Sequence, residues 1–186
     1  KKNILNLLKE KYDIEEDDFI SAEIEVVPAG KARDYGFDRS MVMAYGQDDN
    51  VCAYTSLRAI VEEENPERTS CCILSDKEEV GSQGNTGMCS SAFENTLAEL
   101  MDKCGQYSEL NIRRCLRNSM MLSSDVSAAH DPNYPSVSSP NQNNAEFGKG
   151  IVFNKYTGSR GKGGSNDANP EFIAKIRKVL DDNGVN

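Results

Sequence analysis

Histidine is nearly absent from this chain of 186 residues, which contains only His130. Basic residues are also few, since 21 Lys and Arg stand against 30 Asp and Glu, and the formal charge is -9. An acidic chain lacks the basic face that contacts with nucleic-acid phosphates require, so we expect no nucleic-acid partner. No apolar run approaches the roughly 18 residues of a membrane span, and the start has no apolar signal-peptide core, so we expect no membrane partner.

The six cysteines form no C-x-x-C pair, and several lie in apolar stretches, as small hydrophobic residues do. We therefore expect reduced thiols and a cytoplasmic location. The length suits one ordinary domain or part of a larger one. Because the chain begins at Lys1 without a methionine, we expect it to be a fragment.

Three common catalytic motifs are missing or incomplete. There is no G-x-S-x-G sequence for a serine hydrolase. The glycine-rich segment 158–164 lacks the Gly-Lys-Ser/Thr ending of a phosphate-binding loop, which argues against nucleotide binding. No cysteine has a recognisable activating context for nucleophilic catalysis with His130.

Apolar periodicity predicts helices alternating with strands, which is typical of the α/β class. The predicted helices lie near residues 4–8, from Asp48 or Asp49 to Glu64, from a capping box at Ser91 and Glu94 to Met101, at Glu109–Leu116, and from Asn169-Pro170 to just before Gly184. The predicted strands are Phe19–Val27, Met41–Tyr45, Cys71–Leu74, Ser119–Ser124 and Ile151–Phe153. A long loop is expected at 132–148.

Acidic residues follow three of the predicted apolar elements: Asp48, the pair Glu78-Glu79, and Asp125. Ligands of open α/β sheets gather at the carboxyl ends of strands, so this placement favours a two-metal hydrolase site. Each motif also has a structural explanation. Asp48 or Asp49 could cap a helix, Glu78 and Glu79 could be exposed, and Asp125 could cap a turn.

Three longer motifs resemble the aspartyl aminopeptidase and vacuolar aminopeptidase I family of two-zinc exopeptidases. They are Tyr45-Gly46-Gln47-Asp48-Asp49, Asp76-Lys77-Glu78-Glu79-Val80-Gly81-Ser82, and Ser124-Asp125 with Pro132-Asn133-Tyr134. The resemblance covers nearly the whole chain, which corresponds to the later-middle part of such an enzyme. It implies a three-layer αβα sandwich with a mixed sheet, incomplete here, with residues 1–35 ending a lid or dimerisation domain and 36–186 in the catalytic domain.

The resemblance also implies the roles of individual residues. Asp48 would bridge two zinc ions, which Co2+ or Mn2+ could replace, while Glu79 would bind one ion and Asp125 the other. Glu78 would be the general base that removes N-terminal residues from peptide substrates. The family's two histidine ligands have no counterpart in this chain, so we predict that it binds metal weakly and is inactive alone.

Substrate-binding residues are implied less directly. His130 falls near a family histidine but at a different offset, which favours a loop or pocket-lining role. The lysine that aspartyl aminopeptidases use to meet an acidic side chain aligns with Asn154, with Lys155 one place on. The resemblance further implies a homo-oligomer for the full-length protein. Two alternatives stay open: a noncatalytic assembly module that packs with intact subunits, and a related two-metal deacylase.

Overall fold

The chain folds into two compact units, residues 1–47 and 48–186. The computed structural model describes residues 1–136, 145–154, 156–157 and 166–185. The first unit contains α1 (Lys2–Tyr12), a 3-10 helix (Glu16–Ile20), β1 (Arg33–Tyr35) and β2 (Met41–Met43). From the boundary onward follow α2 (Gln47–Val61), a 3-10 helix (Glu78–Val80), α3 (Ala92–Lys103), α4 (Glu109–Arg117), β3 (Tyr156–Thr157), β4 (Asn166–Asp167) and α5 (Pro170–Asp182).

Strand β2 confirms the prediction of a short strand from Met41, and it pairs antiparallel with β1 so that Asp34 faces Val42. The connecting turn begins at Gly36, whose φ of 91° favours glycine. Arg39 donates a 2.6 Å hydrogen bond from Nε to Asp34 Oδ2. An ion pair thus joins the turn to the strand before it.

All five predicted helices are present, and two have the side-chain caps that stabilise helix starts. Asn169 Oδ1 accepts a 2.9 Å hydrogen bond from the Phe172 N–H before Pro170 opens α5. Ser108 Oγ accepts a 3.0 Å bond from the Asn111 N–H at the start of α4. Such caps satisfy backbone donors that have no partner within the helix.

The predicted capping box at Ser91 and Glu94 is wrong, although α3 itself begins there. The Ser91 side chain makes no capping hydrogen bond. Ser90 takes that place, since its Oγ accepts from the Ala92 N–H at 3.2 Å and donates to Gly87 O at 2.7 Å. The glycine-rich loop before α3 therefore holds the helix start through the neighbouring serine.

Three predicted buried strands are not strands among the described residues. Residues 71–74, 119–124 and 151–153 have no regular secondary structure, and their large apolar side chains are exposed, from 42% for Ile73 to 68% for Met121. A strand needs a neighbouring ladder for its backbone N–H and C=O groups. Residues 71–74, 120–122 and 151–153 form no backbone hydrogen bond with another described residue.

The predicted strand Phe19–Val27 is also wrong. Its first two residues, Phe19 and Ile20, end the 3-10 helix Glu16–Ile20, and the Glu15 N–H just before that helix donates a 2.7 Å bond to Asp18 Oδ2. Residues 22–30 are irregular, and Val26 is 96% exposed. The acidic side chains of Glu15 and Asp18 thus cap the 3-10 helix, and no described strand pairs with the alternating residues that follow.

The class is α/β, as predicted, but the sheets of the described residues are small. They are two antiparallel two-stranded sheets, β1-β2 and β3-β4. The mixed sheet of a three-layer sandwich is not confirmed. α3 packs on α4, which carries Ile112, the one hydrophobic side chain that is buried among the described residues, at 4% exposure. None of the helices in this part of the chain is long and apolar enough to cross a bilayer.

Candidate metal centre

Asp48 and Asp49 stand where the chain enters α2, and neither has helical backbone angles. Asp48 is extended, with φ -85° and ψ 108°, and Asp49 has φ -117° and ψ 23°. The peptide bond between them is cis. The regular helix therefore begins after the acidic pair, which leaves both side chains exposed at its N-terminal end, where the helix dipole favours negative charge.

Asp125 lies close to this pair although it is 76 residues beyond Asp49. One carboxylate oxygen from each of Asp48, Asp49 and Asp125 lies within 4.8 Å of the others. Asp125 is oriented locally, because its Oδ1 accepts a 2.7 Å hydrogen bond from the Val126 N–H. The structure thus brings together two of the predicted metal ligands and adds Asp49, which the sequence predicted only as a possible helix cap.

The half-buried thiol of Cys52 on α2 connects the helix to the segment that carries Asp125. Burial raises the pKa of the Cys52 thiol, and a hydrogen bond with Ser124 opposes the rise. A hydrogen bond with Asp49 and the negative charges of Asp49 and Asp125 raise this pKa further. The region therefore disfavours additional negative charge and attracts a cation.

The donor chemistry of the three aspartates fits a divalent cation. Carboxylate oxygens bind zinc at about 2.0–2.2 Å, so two ligands of one ion are up to about 4.4 Å apart. A spread within 4.8 Å closes to that range through small side-chain rotations. Asp48, Asp49 and Asp125 are therefore the described residues best placed to hold a metal.

Glu78 and Glu79 lie apart from this group of aspartates. They open the 3-10 helix Glu78–Val80, both are exposed, and neither joins a group of three or more metal-ligand atoms among the described side chains. The turn is held by backbone hydrogen bonds from Gly81 N to Glu78 O at 2.8 Å and from Ser82 N to Lys77 O at 2.7 Å.

The glycine-rich loop after this turn folds back on it. The Cys89 N–H donates a 3.2 Å hydrogen bond to the Ser82 carbonyl oxygen. A Cβ at Gly87 would collide with that same oxygen, so the close return of the chain requires glycine there. The loop therefore fixes the conformation of the segment that follows the two glutamates.

Of the predicted substrate-binding residues, His130 and Asn154 are described. His130 is exposed and outside the aspartate group, and its backbone N–H donates a 2.8 Å bond to Ala145 O beside a parallel bridge between Ala129 and Ala145. Asn154 is exposed. Lys155 lies outside the described residues.

Comparison with known proteins gives consistent matches along the chain. The family model described as "Aminopeptidase I zinc metalloprotease (M18)" matches residues 1–186. A protein of Clostridium acetobutylicum named "Probable M18 family aminopeptidase 1" is 65% identical over 186 residues, which are the whole of this chain and 40% of that protein. The chain thus spans about 40% of the length of the bacterial relatives with this name.

Two solved structures resemble the fold over nearly the whole chain. The crystal structure of aminopeptidase I from Clostridium acetobutylicum matches with a TM-score of 0.82 and 64% identity, covering 95% of this chain and 38% of that one. The M18 family aminopeptidase from Thermotoga maritima matches with a TM-score of 0.88 and 44% identity, covering 98% of this chain and 40% of that one.

Proposed function

The chain belongs to the M18 family of aminopeptidase I zinc metalloproteases, and we propose that it supplies part of the catalytic domain of a two-zinc aminopeptidase. The observation that carries this proposal is the convergence of Asp48 and Asp125, separated along the chain, within 4.8 Å. The sequence motifs predict both residues as metal ligands.

In the complete protein Asp48 would hold both zinc ions, Glu79 would hold one and Asp125 the other, with Asp49 as a nearby source of negative charge. Bound zinc would lower the pKa of water and polarise the peptide carbonyl. Glu78 accepts the proton of the attacking water and transfers it to the leaving amine, as a general base and then a general acid. Substrates are peptides with a free amino terminus.

The 186 residues alone are proposed to bind zinc weakly and to be inactive. The predicted zinc ligands within these residues are all carboxylates. Catalytic zinc normally has three protein ligands. His130, the single histidine, is outside the aspartate group. A polypeptide with the full length of the relatives would complete the three-layer sandwich with a mixed sheet, with residues 1–35 in a lid or dimerisation domain, and would act as a cytoplasmic homo-oligomer.

A noncatalytic assembly role is the second candidate. It is favoured by exposed apolar side chains such as Met121 and Leu122, at 68% and 67%. In that case the chain packs with intact subunits without adding catalytic groups of its own.

The test uses a chimera in which the flanking parts of the Clostridium acetobutylicum relative are joined to this chain. The Glu78→Gln variant should lose peptide turnover while retaining zinc, measured by release of N-terminal residues and by metal analysis. Glu99→Gln, an exposed substitution on α3, is the matched control and should keep both properties. Full turnover by the Glu78→Gln chimera would show that Glu78 is not the general base. Cleavage of N-acylated substrates in preference to aminoacyl ones would indicate a deacylase.

A further inference from the structure

The turn that carries Glu78 and Glu79 is bounded on both sides by backbone in the left-handed region. Lys77 enters the turn with a φ of 65°, and Gly81 and Ser82 leave it with φ values of 79° and 58°. Lys77 and Ser82 are not glycines, and a side chain makes this region unfavourable. Such a conformation persists only where the surrounding structure holds it.

Gly87 provides this support, because its backbone packs directly against Ser82. Gly87 is buried, whereas residues 83–86 before it are exposed. A Cβ built on Gly87 would lie 2.5 Å from the Ser82 carbonyl carbon and closer still to its oxygen. The Cys89 N–H donates a 3.2 Å hydrogen bond to the same oxygen, and Cys89 Sγ lies 3.9 Å from the carbonyl oxygen of Gly81. The returning chain therefore contacts the end of the glutamate turn.

Gly87 is also joined to the start of α3. Its carbonyl oxygen accepts a 2.7 Å hydrogen bond from the Ser90 hydroxyl and a 2.9 Å bond from the Ser90 N–H. Ser90 Oγ accepts a 3.2 Å bond from the N–H of Ala92, the first residue of α3, and α3 packs on α4. A continuous series of contacts thus runs from a packed helix through Ser90 and Gly87 to Ser82.

An anion-binding role fits this loop less well. Glycine-rich loops that precede a helix bind anions through free backbone N–H groups. Here the Cys89 N–H bonds to Ser82, the Ser90 N–H bonds to Gly87, and the Ala92 N–H bonds to Ser90 Oγ. These donors already serve contacts within the loop, which favours a supporting role.

We propose that Gly87 is a positioning residue for Glu78 and Glu79, because only a residue without a side chain lets the loop close against Ser82 and hold the glutamate turn relative to α3. This inference rests on the proposed function, in which Glu78 is the general base and Glu79 a zinc ligand. Both roles require a defined position. A general base must reach its proton within a hydrogen bond, and a carboxylate binds zinc at about 2.0–2.2 Å.

The experiment compares Gly87→Ala with Gly30→Ala in the full-length chimera with the Clostridium acetobutylicum relative. Neither glycine has a positive φ, so alanine is compatible with the backbone at both positions. A Cβ at Gly30 has nothing within 4 Å, so Gly30→Ala should keep kcat within about twofold. A Cβ at position 87 must displace Ser82 by about 1 Å, and misplacement of that size lowers kcat about 100-fold.

Two further readouts separate positioning from a general loss of stability. In Gly87→Ala the amides of Gly81 and Ser82 should exchange at least about tenfold faster, because their hydrogen bonds close the displaced turn, while the amides of α4 keep their rates. With saturating zinc, kcat should fall with KM nearly unchanged, because a general base acts in the transition state. Unchanged kcat and exchange overturn the proposal. Equally faster exchange throughout α4 also overturns it, because the effect is then one of stability.

A milder substitution tests the same contacts without adding atoms to the loop. Ser90→Ala removes the hydroxyl that links Gly87 to α3 and should lower kcat about 5- to 10-fold. Ser90→Thr keeps a hydroxyl and should restore kcat. Ser91→Ala is the control, since the Ser91 side chain makes no capping hydrogen bond. If Gly87→Ala does not fold, these three variants decide, and equal kcat for Ser90→Ala and Ser91→Ala overturns the proposal.

Glu78→Gln separates failure of this inference from failure of the proposed function. If the Glu78→Gln chimera loses turnover while Gly87→Ala keeps it, Gly87 is not a positioning residue and Glu78 remains the general base. If the Glu78→Gln chimera keeps full turnover, the proposed function is contradicted. The exchange rates of Gly81 and Ser82 then still decide whether Gly87 holds the turn.

Discussion

Arg68 binds the backbone of Asn118 through a 2.6 Å hydrogen bond from its guanidinium to the carbonyl oxygen. The two residues are 50 positions apart, and each stands just before an exposed apolar segment, residues 71–74 after Arg68 and residues 120–122 after Asn118. One segment leads to Glu78 and Glu79, and the other leads to Asp125. This contact therefore aligns the two chain segments that carry acidic motifs.

Replacing Arg68 with alanine should lower the free energy of unfolding by about 1 kcal/mol. A hydrogen bond to a charged group contributes about 1.5–3 kcal/mol, and solvent exposure of Arg68 reduces this value. Urea denaturation measures the change. Arg113→Ala is the control, since its exposed pair with Glu109 spans 3.9 Å and should contribute about 0.5 kcal/mol or less. Equal changes in both variants would contradict the assigned importance of Arg68.

Helix caps provide a second prediction. Asn169→Ala and Ser108→Ala should each reduce stability by about 1 kcal/mol, because each removes the acceptor of a backbone N–H at a helix start. Ser91→Ala should cost less, since the Ser91 side chain makes no capping bond. Thermal unfolding and hydrogen exchange in the first helical turns distinguish the three. A loss at Ser91 as large as that at Asn169 would be inconsistent with the observed geometry.

The helices could be predicted because their signals are local. The start of α5 at Asn169 and Pro170 depends on residues within one turn of each other. Strands depend on partners that are distant in sequence. Residues 71–74 have the composition of a buried strand, but no described neighbour supplies the ladder that would make them one.

The candidate site could be predicted to a similar extent. Asp48 and Asp125 were identified from their positions after apolar elements, and they lie together. Asp49 was missed as a member of the group because an aspartate before a helix also fits a cap. The adjacent acidic pair was the available signal, but only the non-helical backbone at both residues shows that neither is inside the helix.

A pH-dependent prediction concerns Asp38 in the turn between β1 and β2. The Ser40 side chain, followed by its backbone N–H, lowers the pKa of the Asp38 carboxyl through hydrogen bonds. A lowered folded-state pKa means that this stabilisation is present above the ordinary pKa and is lost as pH falls through the lowered value, below about pH 4.

Ser40→Ala should therefore move the Asp38 pKa upward toward its ordinary value. Carboxyl carbon chemical shifts recorded during an acid titration measure the change. Ser21→Ala, at another exposed position of residues 1–47, should leave the Asp38 titration unchanged. An unchanged Asp38 titration in the Ser40→Ala protein would show that the side-chain hydrogen bond is not the main cause.

Metal binding tests the aspartate group directly. Asp48→Asn and Asp125→Asn should each weaken zinc binding by about tenfold or more, because loss of a residue that merely supports a ligand already costs about 10- to 100-fold. Calorimetric titration of the chain with zinc at neutral pH measures this, with Asp102→Asn on α3 as a control of equal charge change.

Asp49→Asn decides what the third carboxylate does. Its carboxylate oxygen lies within 4.8 Å of an oxygen of Asp125, so we expect a loss of affinity that exceeds the effect of Asp102→Asn. A loss equal to that of Asp125→Asn would make Asp49 a ligand, and a smaller loss would make it a source of favourable charge. If Asp48→Asn, Asp49→Asn and Asp125→Asn all behave like Asp102→Asn, the group does not bind zinc in this chain, because removing its charges then has no local consequence.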